Sequence, residues 1–406
     1  MRALYCSAPL PGHLDWGGFL RTAVAQQRAG DTVLWASGAA VAAPVAAAGI
    51  PFATLAETGW RWPPPPPLPA PAAGAREAWQ ATRAVRALDQ WLDEQRVAAA
   101  VDALTAAVES FQPDLIVSEM FVAAAGIVAE RLGVPFVVGG WPATVAPAVD
   151  KPDALARAAR DRLERLLARW QLAGVNWTST GPPALRSPRL HLTYWCATWY
   201  RGLPLAPQTI HVGGRAAAPG APLANLPDPG ERPWVLITLG TSFDDDPAFF
   251  TAAASAADRL GCLPLLVGSR FAARASAHEL PASSIVLAHV DFAQVLPYCA
   301  AAIHHGGAGT THALALHAVP QIVTPHAADQ IHQARGVERS GVGLHMPPRT
   351  VTADRLAAAL AQLLPDLATA RAAARRLQAE MAALGGAEQA VKLLQDTARG
   401  APSDIR

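Results

Sequence analysis

The chain has 406 residues, 51% of them hydrophobic, and its 33 basic and 32 acidic residues give a formal net charge of +1. This length exceeds what one hydrophobic core usually supports, so two domains are expected. The balanced charge, without a basic stripe or an acidic tract, argues against nucleic acid as a partner and against a charged disordered tail.

The first half of the chain alternates strand-like and helix-like segments. This βαβα order predicts an open parallel sheet with helices on both faces. Strands are expected at Ala3–Ala8, Thr32–Ala36, Asp114–Ser118 and Pro135–Gly139, and helices at Trp16–Arg28, Ala39–Ala48 and Ala123–Leu132.

The same alternation begins again after residue 233. Strands are expected at Trp234–Leu239, Pro264–Val267, Ser284–Leu287, Ala301–Ile303 and Gln321–Thr324, and helices at Pro247–Leu260 and Ala387–Thr397. The chain is therefore predicted to be an α/β protein of two doubly wound, Rossmann-like domains, with a ligand cleft between the carboxyl ends of their strands.

Composition marks the expected boundaries. Residues 213–233 are rich in Gly, Pro and Ala and are interpreted as a linker between a first domain, residues 1–212, and a second, residues 234–385. Residues 386–406 are expected to form a C-terminal helix and tail. Five consecutive prolines, Pro63–Pro67, predict extended surface chain.

Cysteine and tryptophan usage add two expectations. The four cysteines lie far apart without metal-ligand spacing, which is typical of small buried side chains in a reducing compartment. No signal peptide and no apolar run of about 18 residues is evident, so a cytoplasmic location is expected and at most peripheral contact with a membrane.

Eleven of the twelve tryptophans precede residue 216, which fits either an aromatic acceptor pocket in the first domain or core packing alone.

A glycine-rich turn follows the strand that ends near Ile303. His304 and His305 lead into Gly306, Gly307 and Gly309, and a helix is expected from Thr310. Such a strand–loop–helix unit directs free N–H groups and the positive end of the helix dipole at one spot, which suits a phosphate or diphosphate. The side chains of adjacent residues on extended chain face opposite ways, so only one of the two histidines can reach that anion.

Three segments together, His304–Thr311, Gly341-Val342-Gly343 and Pro325–Gln330, resemble the donor-site signature of family 1 glycosyltransferases. Bacterial members that glycosylate natural products, sterols or lipids are the most similar. The resemblance implies the GT-B architecture, in which two Rossmann-like domains face a cleft and the last helix crosses back to the first domain. It also implies a UDP- or dTDP-sugar as co-substrate and no other cofactor.

The resemblance carries donor-binding roles to particular positions. Val290 and Phe292 are expected at the nucleoside, because His289–Phe292 stands where the family has a base-stacking Trp-x-Pro-Gln. Ala313 replaces a Glu that often grips the ribose, which suits a deoxyribose donor. The expected diphosphate contacts are His305, Gly307, Gly309, Thr310, Thr241 and Ser242, and the expected sugar contacts are His326, Asp329 and Gln330.

His13 is the candidate general base, because it lies in a Gly-His loop directly after the first strand. A base that becomes imidazolium benefits from a carboxylate on its other nitrogen. By resemblance that group follows a Pro-Asp-Leu strand, which places Glu119 at a position where an Asp is usual. Glu is longer by one methylene, so the pair must be rebuilt or bridged by water. Asp15 remains a rival partner for His13.

No metal site is expected. His312 and His317 are five residues apart, which is off the spacing of one helix face, and no further ligand completes a set. The run Asp244–Asp246 is interpreted as solvated or helix-capping.

The sequence thus predicts an inverting, metal-independent glycosyltransferase. It would transfer a hexose or deoxyhexose to a hydroxyl of an apolar small molecule or lipid. A nucleotide-sugar 2-epimerase of the same fold and a non-catalytic auxiliary or lipid-binding relative stay open, as does the choice between monomer and homodimer.

Overall fold

The structure is a computed structural model. It describes residues 1–400 except residues 16, 62, 64–67, 70, 71, 73, 141–153, 217, 219–222, 224–227, 229, 230, 241, 242, 327 and 365–368, and it does not describe the side chains of residues 81, 84, 154, 277, 328 and 329. Most of the proline run, much of the expected linker and the tail from residue 401 therefore lie outside the described residues.

The chain divides into two compact units. The first comprises Met1–Tyr194, Leu203–Val212 and the segment from Ala387, and the second comprises Trp195–Gly202 and Gly213–Gly386.

The first unit is built on a fully parallel sheet in the order β3-β2-β1-β4-β5-β6-β7. Its central strands are buried on both faces, as expected for a parallel sheet covered by helices. The strands are β1 Arg2–Cys6, β2 Thr32–Ser37, β3 Phe52–Thr54, β4 Leu115–Ser118, β5 Phe136–Gly140, β6 His191–Thr193 and β7 Thr209–His211.

The helices of the first unit supply its core. Every residue of Ala123–Ala129 is buried, and in the preceding long helix Val97, Val101, Leu104 and Val108 form the buried stripe. The helices are α1 Phe19–Arg28, α2 Ala42–Ala47, α3 Arg76–Trp91, α4 Glu94–Phe111, α5 Ala123–Leu132 and α6 Ala154–Arg169, with short 3-10 helices at Pro11–His13 and Ala39–Val41.

The second unit holds another fully parallel sheet, in the order β10-β9-β8-β11-β12-β13. Its strands are β8 Trp234–Thr238, β9 Leu263–Val267, β10 Ile285–Leu287, β11 Cys299–His304, β12 Gln321–Val323 and β13 Gly343–His345. Its helices are α7 Pro247–Arg259, α8 Ser269–Ala272, α9 Phe292–Val295, α10 Ala308–Leu316, α11 Ala328–Ser340, α12 Ala353–Leu363 and α13 Thr369–Ala383, with 3-10 helices at Ala275–Ala277, Leu296–Tyr298 and Pro348–Thr350.

The last helix, α14 (Gly386–Ala398), belongs to the first unit from Ala387 onward. Gln395 of α14 donates a hydrogen bond to the Asp31 carboxylate at 3.0 Å, and Gln26 of α1 donates to the same oxygen at 3.2 Å.

The predicted α/β class and its two parallel sheets are confirmed. Among the differences from the prediction, helix α10 begins at Ala308 rather than at Thr310. The three-residue strands β3, β6, β7 and β13 were not predicted, because elements this short carry little periodicity.

The four cysteines are buried and unpaired, as expected. The tryptophans divide between roles. Trp35 and Trp177 are core residues of the first unit, whereas Trp195 and Trp199 stack on each other at 3.6 Å within the second. A Cβ on Gly336 of α11 would lie 2.3 Å from the Trp199 ring, so this helix packs directly on the pair. These four side chains support the core-packing interpretation.

Candidate active site

The first unit brings His13 and Glu119 together. Strands β1 and β4 are neighbours in the sheet, and the strand order reverses between them, which is where open α/β sheets bind ligands. His13 ends the 3-10 helix that follows β1, and Glu119 is the first residue after β4. The topology therefore places both side chains at the same carboxyl edge.

Glu119 is held by the backbone on both of its oxygens. Oε1 accepts the N–H of Ala8 at 3.0 Å and lies 3.4 Å from Nδ1 of His13, while Oε2 accepts the N–H of Phe121 at 3.0 Å. The carboxyl is fully buried, whereas the His13 side chain is 16% exposed. With its additional methylene, the Glu119 carboxylate reaches two backbone N–H groups and His13 directly, without a bridging water.

This contact sets the protonation pattern of the imidazole. A carboxylate only accepts hydrogen bonds, so Nδ1 of His13 carries the proton when it faces Glu119. Nε2 then keeps its lone pair, which is the form a general base requires. Asp15, the rival partner, has its Oδ2 3.3 Å from Nη2 of Arg21.

Two aromatic rings that the sequence did not single out flank His13. The ring centroids of Trp60 and Phe121 lie 5.4 and 5.5 Å from that of His13 and 5.2 Å from each other. These rings place apolar surface beside the imidazole of His13. For Phe121 a signal existed, since it stands two residues after Glu119, and Trp60 was covered only by the general expectation of an aromatic acceptor pocket in the first domain.

The second unit repeats this arrangement at its own point of strand-order reversal, between β8 and β11. Gly307 is the N-cap of α10, and the first helical bond runs from the N–H of Thr311 to the carbonyl of Gly307 at 2.9 Å. The N–H groups of Ala308, Gly309 and Thr310 therefore have no acceptor within the helix. All three residues are partly exposed, so their amides can receive an anion.

His305 lies beside this helix terminus between two glycines. A Cβ on Gly240 would come within 2.6 Å of its ring, and so would a Cβ on Gly307. The side chain is 7% exposed, and its Nδ1 has no hydrogen-bond partner within the described residues. Burial, reinforced by the nearby His326 and only partly opposed by the Thr238 carbonyl, lowers the pKa of His305 to about 4.

His326 and Gln330 lie together in the loop after β12 and the first turn of α11. The Gln330 Oε1 accepts the N–H of His326 at 2.7 Å, and Nδ1 of His326 lies 2.7 Å from the Thr324 carbonyl. That carbonyl assigns the proton to Nδ1 and leaves Nε2 as an acceptor. Gln330 is buried, and its Oε1 holds the backbone of the loop through the bond to His326. Phe243, which the sequence did not single out, has its ring 5.4 Å from that of His326 and 6.1 Å from that of His305.

Of the other residues predicted to bind the donor, the structure describes the packing of two. Val290 and Phe292 are half-buried and pack on an apolar cluster that also contains Ala313. Thr241, Ser242 and the Asp329 side chain lie outside the described residues.

The acidic run after β8 has structural partners. The buried Asp244 accepts from Nε of Arg270 at 2.6 Å and from Oγ of Ser269 at 3.0 Å, and Asp245 pairs with Arg274. Asp246 caps α7 by accepting the N–H of Phe249 at 3.1 Å. Capping is as predicted, but Asp244 is buried rather than solvated.

Within the described residues, no group of three or more His, Cys, Asp or Glu side chains could hold a metal ion. No helix in the same part of the chain has the length and apolar character needed to cross a bilayer.

Comparisons with known proteins agree with this geometry. Residues 267–396 match the family described as erythromycin biosynthesis protein CIII-like, C-terminal domain. The L-demethylnoviosyl transferase of Streptomyces niveus is 30% identical over 290 residues, which is 70% of this chain and 71% of that protein. The kitacinnamycin glycosyltransferase superposes with a TM-score of 0.76 at 23% identity, covering 98% of both chains. The spinosyn rhamnosyltransferase SpnG complexed with thymidine diphosphate has a TM-score of 0.71 at 22% identity, covering 97% of this chain and all of its own.

The two parallel sheets, the loop at the strand-order reversal of each sheet, and a relative matched over 71% of its own length support one assignment. The chain belongs to the family 1 natural-product glycosyltransferases of the GT-B fold.

Proposed function

We propose that this glycosyltransferase inverts the anomeric centre of a dTDP- or UDP-linked hexose or deoxyhexose and transfers the sugar to a hydroxyl of an apolar small molecule or lipid. The observation that carries the donor half is His305, a buried imidazole with an unpartnered nitrogen beside the free N–H groups that begin α10. A diphosphate satisfies both features at once.

The donor half works without a permanent positive charge at His305. With a pKa of about 4, its imidazole is neutral at pH 7 and contributes a hydrogen bond, while the helix terminus contributes N–H groups and a partial charge. The diphosphate brings negative charge close to the ring and favours its protonated form. The leaving group is thereby stabilised as the bond to the sugar breaks.

The acceptor half rests on His13 and Glu119. Nε2 of His13 removes the proton of the acceptor hydroxyl, and Glu119 stabilises the imidazolium through Nδ1. The acceptor oxygen then attacks the anomeric carbon on the face opposite the diphosphate. One carbon–oxygen bond forms as the other breaks, the nucleoside diphosphate departs with the electron pair, and the configuration inverts.

A thymidine donor is favoured over a uridine donor. Ala313 lies in the apolar packing of α10, so this position offers no carboxylate to a ribose 2′-hydroxyl. SpnG, which shares the fold, was solved with thymidine diphosphate. His326 and Gln330, together with Asp329, are proposed to contact the sugar hydroxyls, and Val290 and Phe292 the nucleoside.

The proposal is tested by titrating the protein with thymidine diphosphate and uridine diphosphate in a calorimeter. We expect both to bind and thymidine diphosphate to bind more tightly, with affinity for both lost in His305→Ala. Failure of the parent protein to bind either nucleotide would refute the donor assignment.

A further inference from the structure

His304 is a buried histidine that the donor chemistry above does not use. It ends β11, its side chain is fully buried, and it has a defined partner on each ring nitrogen. Nδ1 lies 3.1 Å from the N–H of Gly306, two residues further along the chain, and Nε2 lies 3.0 Å from the Oε1 of Gln321.

These contacts allow only one arrangement of protons. A backbone N–H can only donate, so Nδ1 of His304 accepts and Nε2 carries the proton that it gives to Gln321. The Gln321 amide group is then left to donate to the Thr311 carbonyl, at 3.4 Å. Burial, together with the neighbouring His305, lowers the pKa of His304 to about 3, so the ring is neutral near pH 7.

The hydrogen bonds of His304 and Gln321 connect β11, the turn at Gly306, β12 and helix α10. Gly306 has a φ of +88°, and a Cβ there would lie 2.7 Å from Val323 of β12, so the chain turns sharply at this residue while packed against a neighbouring strand. The same N–H that His304 binds sits in this turn. The conformation of Gly306 therefore determines the positions of His305 before it and of Gly307, the N-cap of α10, after it.

The network also determines which amides are available to a ligand. The N–H of Gly306 is occupied by His304, whereas those of Ala308, Gly309 and Thr310 remain free at the helix terminus. An acceptor missing from position 304 would leave a buried N–H unsatisfied at the turn. The simplest relief is rotation of that peptide, which displaces the free amides and His305 together.

We propose that His304 is a positioning residue for the nucleotide-sugar diphosphate, acting through the hydrogen bond from Gly306 to its Nδ1, and this inference rests on the proposed function. The hydrogen bond from the N–H of Gly306 to Nδ1 of His304 is the one that positions the diphosphate-binding groups. The contact with Gln321 serves the stability of the sheet.

Two substitutions separate these halves. In His304→Asn the side-chain oxygen occupies the place of Nδ1 and can accept from the N–H two residues ahead, as Asn does in turns, but the reach to Gln321 is lost. In His304→Gln the longer amide can still meet Gln321 and leaves the N–H of Gly306 without its acceptor. Both variants are made in the full chain and titrated with thymidine diphosphate, and their thermal midpoints are recorded.

We expect His304→Asn to bind within about threefold of the parent and His304→Gln to bind roughly tenfold more weakly or worse, with the two midpoints lowered by similar amounts. A role in stability alone would move the midpoints without separating the affinities. Equal affinities of the two variants, whether both retained or both reduced, would overturn the inference while the proposed function stands. A parent protein that binds no nucleoside diphosphate overturns both.

If His304→Gln does not give folded protein, Gln321→Met takes its place in the comparison. This variant removes the partner of Nε2 and keeps the acceptor for Gly306, so the affinity should stay within about threefold of the parent. A loss of about tenfold or more in folded Gln321→Met would contradict the assigned division of labour.

Discussion

Gly307→Ala tests the donor site with one added methyl group. The backbone of Gly307 has φ −59° and ψ 138°, which alanine adopts without strain. The new Cβ would lie 2.6 Å from Nε2 and 2.8 Å from Cε1 of His305. Ordinary contact begins at 3.4 Å, so the ring must shift by about 0.8 Å, the difference between 3.4 and 2.6.

A shift of this size takes His305 out of hydrogen-bond range of a fixed diphosphate. A hydrogen bond to a charged group contributes about 1.5–3 kcal/mol, which corresponds to roughly 10- to 150-fold in affinity. The cost in stability should be about 1–3 kcal/mol, because the added methyl displaces a buried ring and alanine is a poorer N-cap than glycine.

The assay is calorimetric titration with thymidine diphosphate, with urea unfolding of the same preparations. Gly12→Ala is the matched control, because a Cβ at Gly12 meets nothing within 4 Å. The control should bind the nucleotide as the parent does. If Gly307→Ala also binds like the parent, His305 does not contact the diphosphate and the donor assignment is wrong.

Four further outcomes are expected. His13→Ala should reduce turnover by roughly 10² or more with nucleotide affinity unchanged, and equal rates for variant and parent from pH 6 to 9 would rule out a base role. Glu119→Gln should slow transfer by roughly 10², since it keeps the shape but not the charge beside His13, and an unaltered rate would show that the charge is not used. Transfer should persist in EDTA, and loss with recovery on adding Mg²⁺ would contradict the metal-independent mechanism. The free energy of unfolding should fall as the pH drops from 6.5 towards 4, because His304 and His305, with pKa values of about 3 and 4, stay neutral when folded while the unfolded chain takes up protons. His304→Asn should lessen that slope by up to about 1.4 kcal/mol per pH unit in urea titrations, and an unchanged slope would contradict the buried neutral state.

The pairing of His13 with Glu119 was expected from the family resemblance, and the sheet topology accounts for the contact. A Gly-His loop after the first strand and a carboxylate after the fourth meet wherever the strand order reverses between those strands. The cradle at Gly307 could be anticipated for a similar reason, since a strand, a glycine turn and a helix define it locally.

Contacts between loops that are distant in the sequence could not be predicted from the sequence. Trp60 reaches His13 from an irregular loop whose path no periodicity encodes, and Phe243 reaches His326 across two strand ends. The family signature marks Gln330 as a sugar contact, but it does not reveal that Oε1 is already bonded to the N–H of His326. The partner of His304 is Gln321 on the next strand, which the sheet register places opposite Ala302, two residues before His304 and therefore on the same face of the sheet.

The donor assignment can be tested by a crystal structure with thymidine diphosphate bound. We expect the diphosphate to lie at the start of α10, with its oxygens about 3 Å from an imidazole nitrogen of His305 and from the N–H groups of Ala308, Gly309 and Thr310. A diphosphate seated on the first unit, or beyond hydrogen-bond reach of His305, would contradict it.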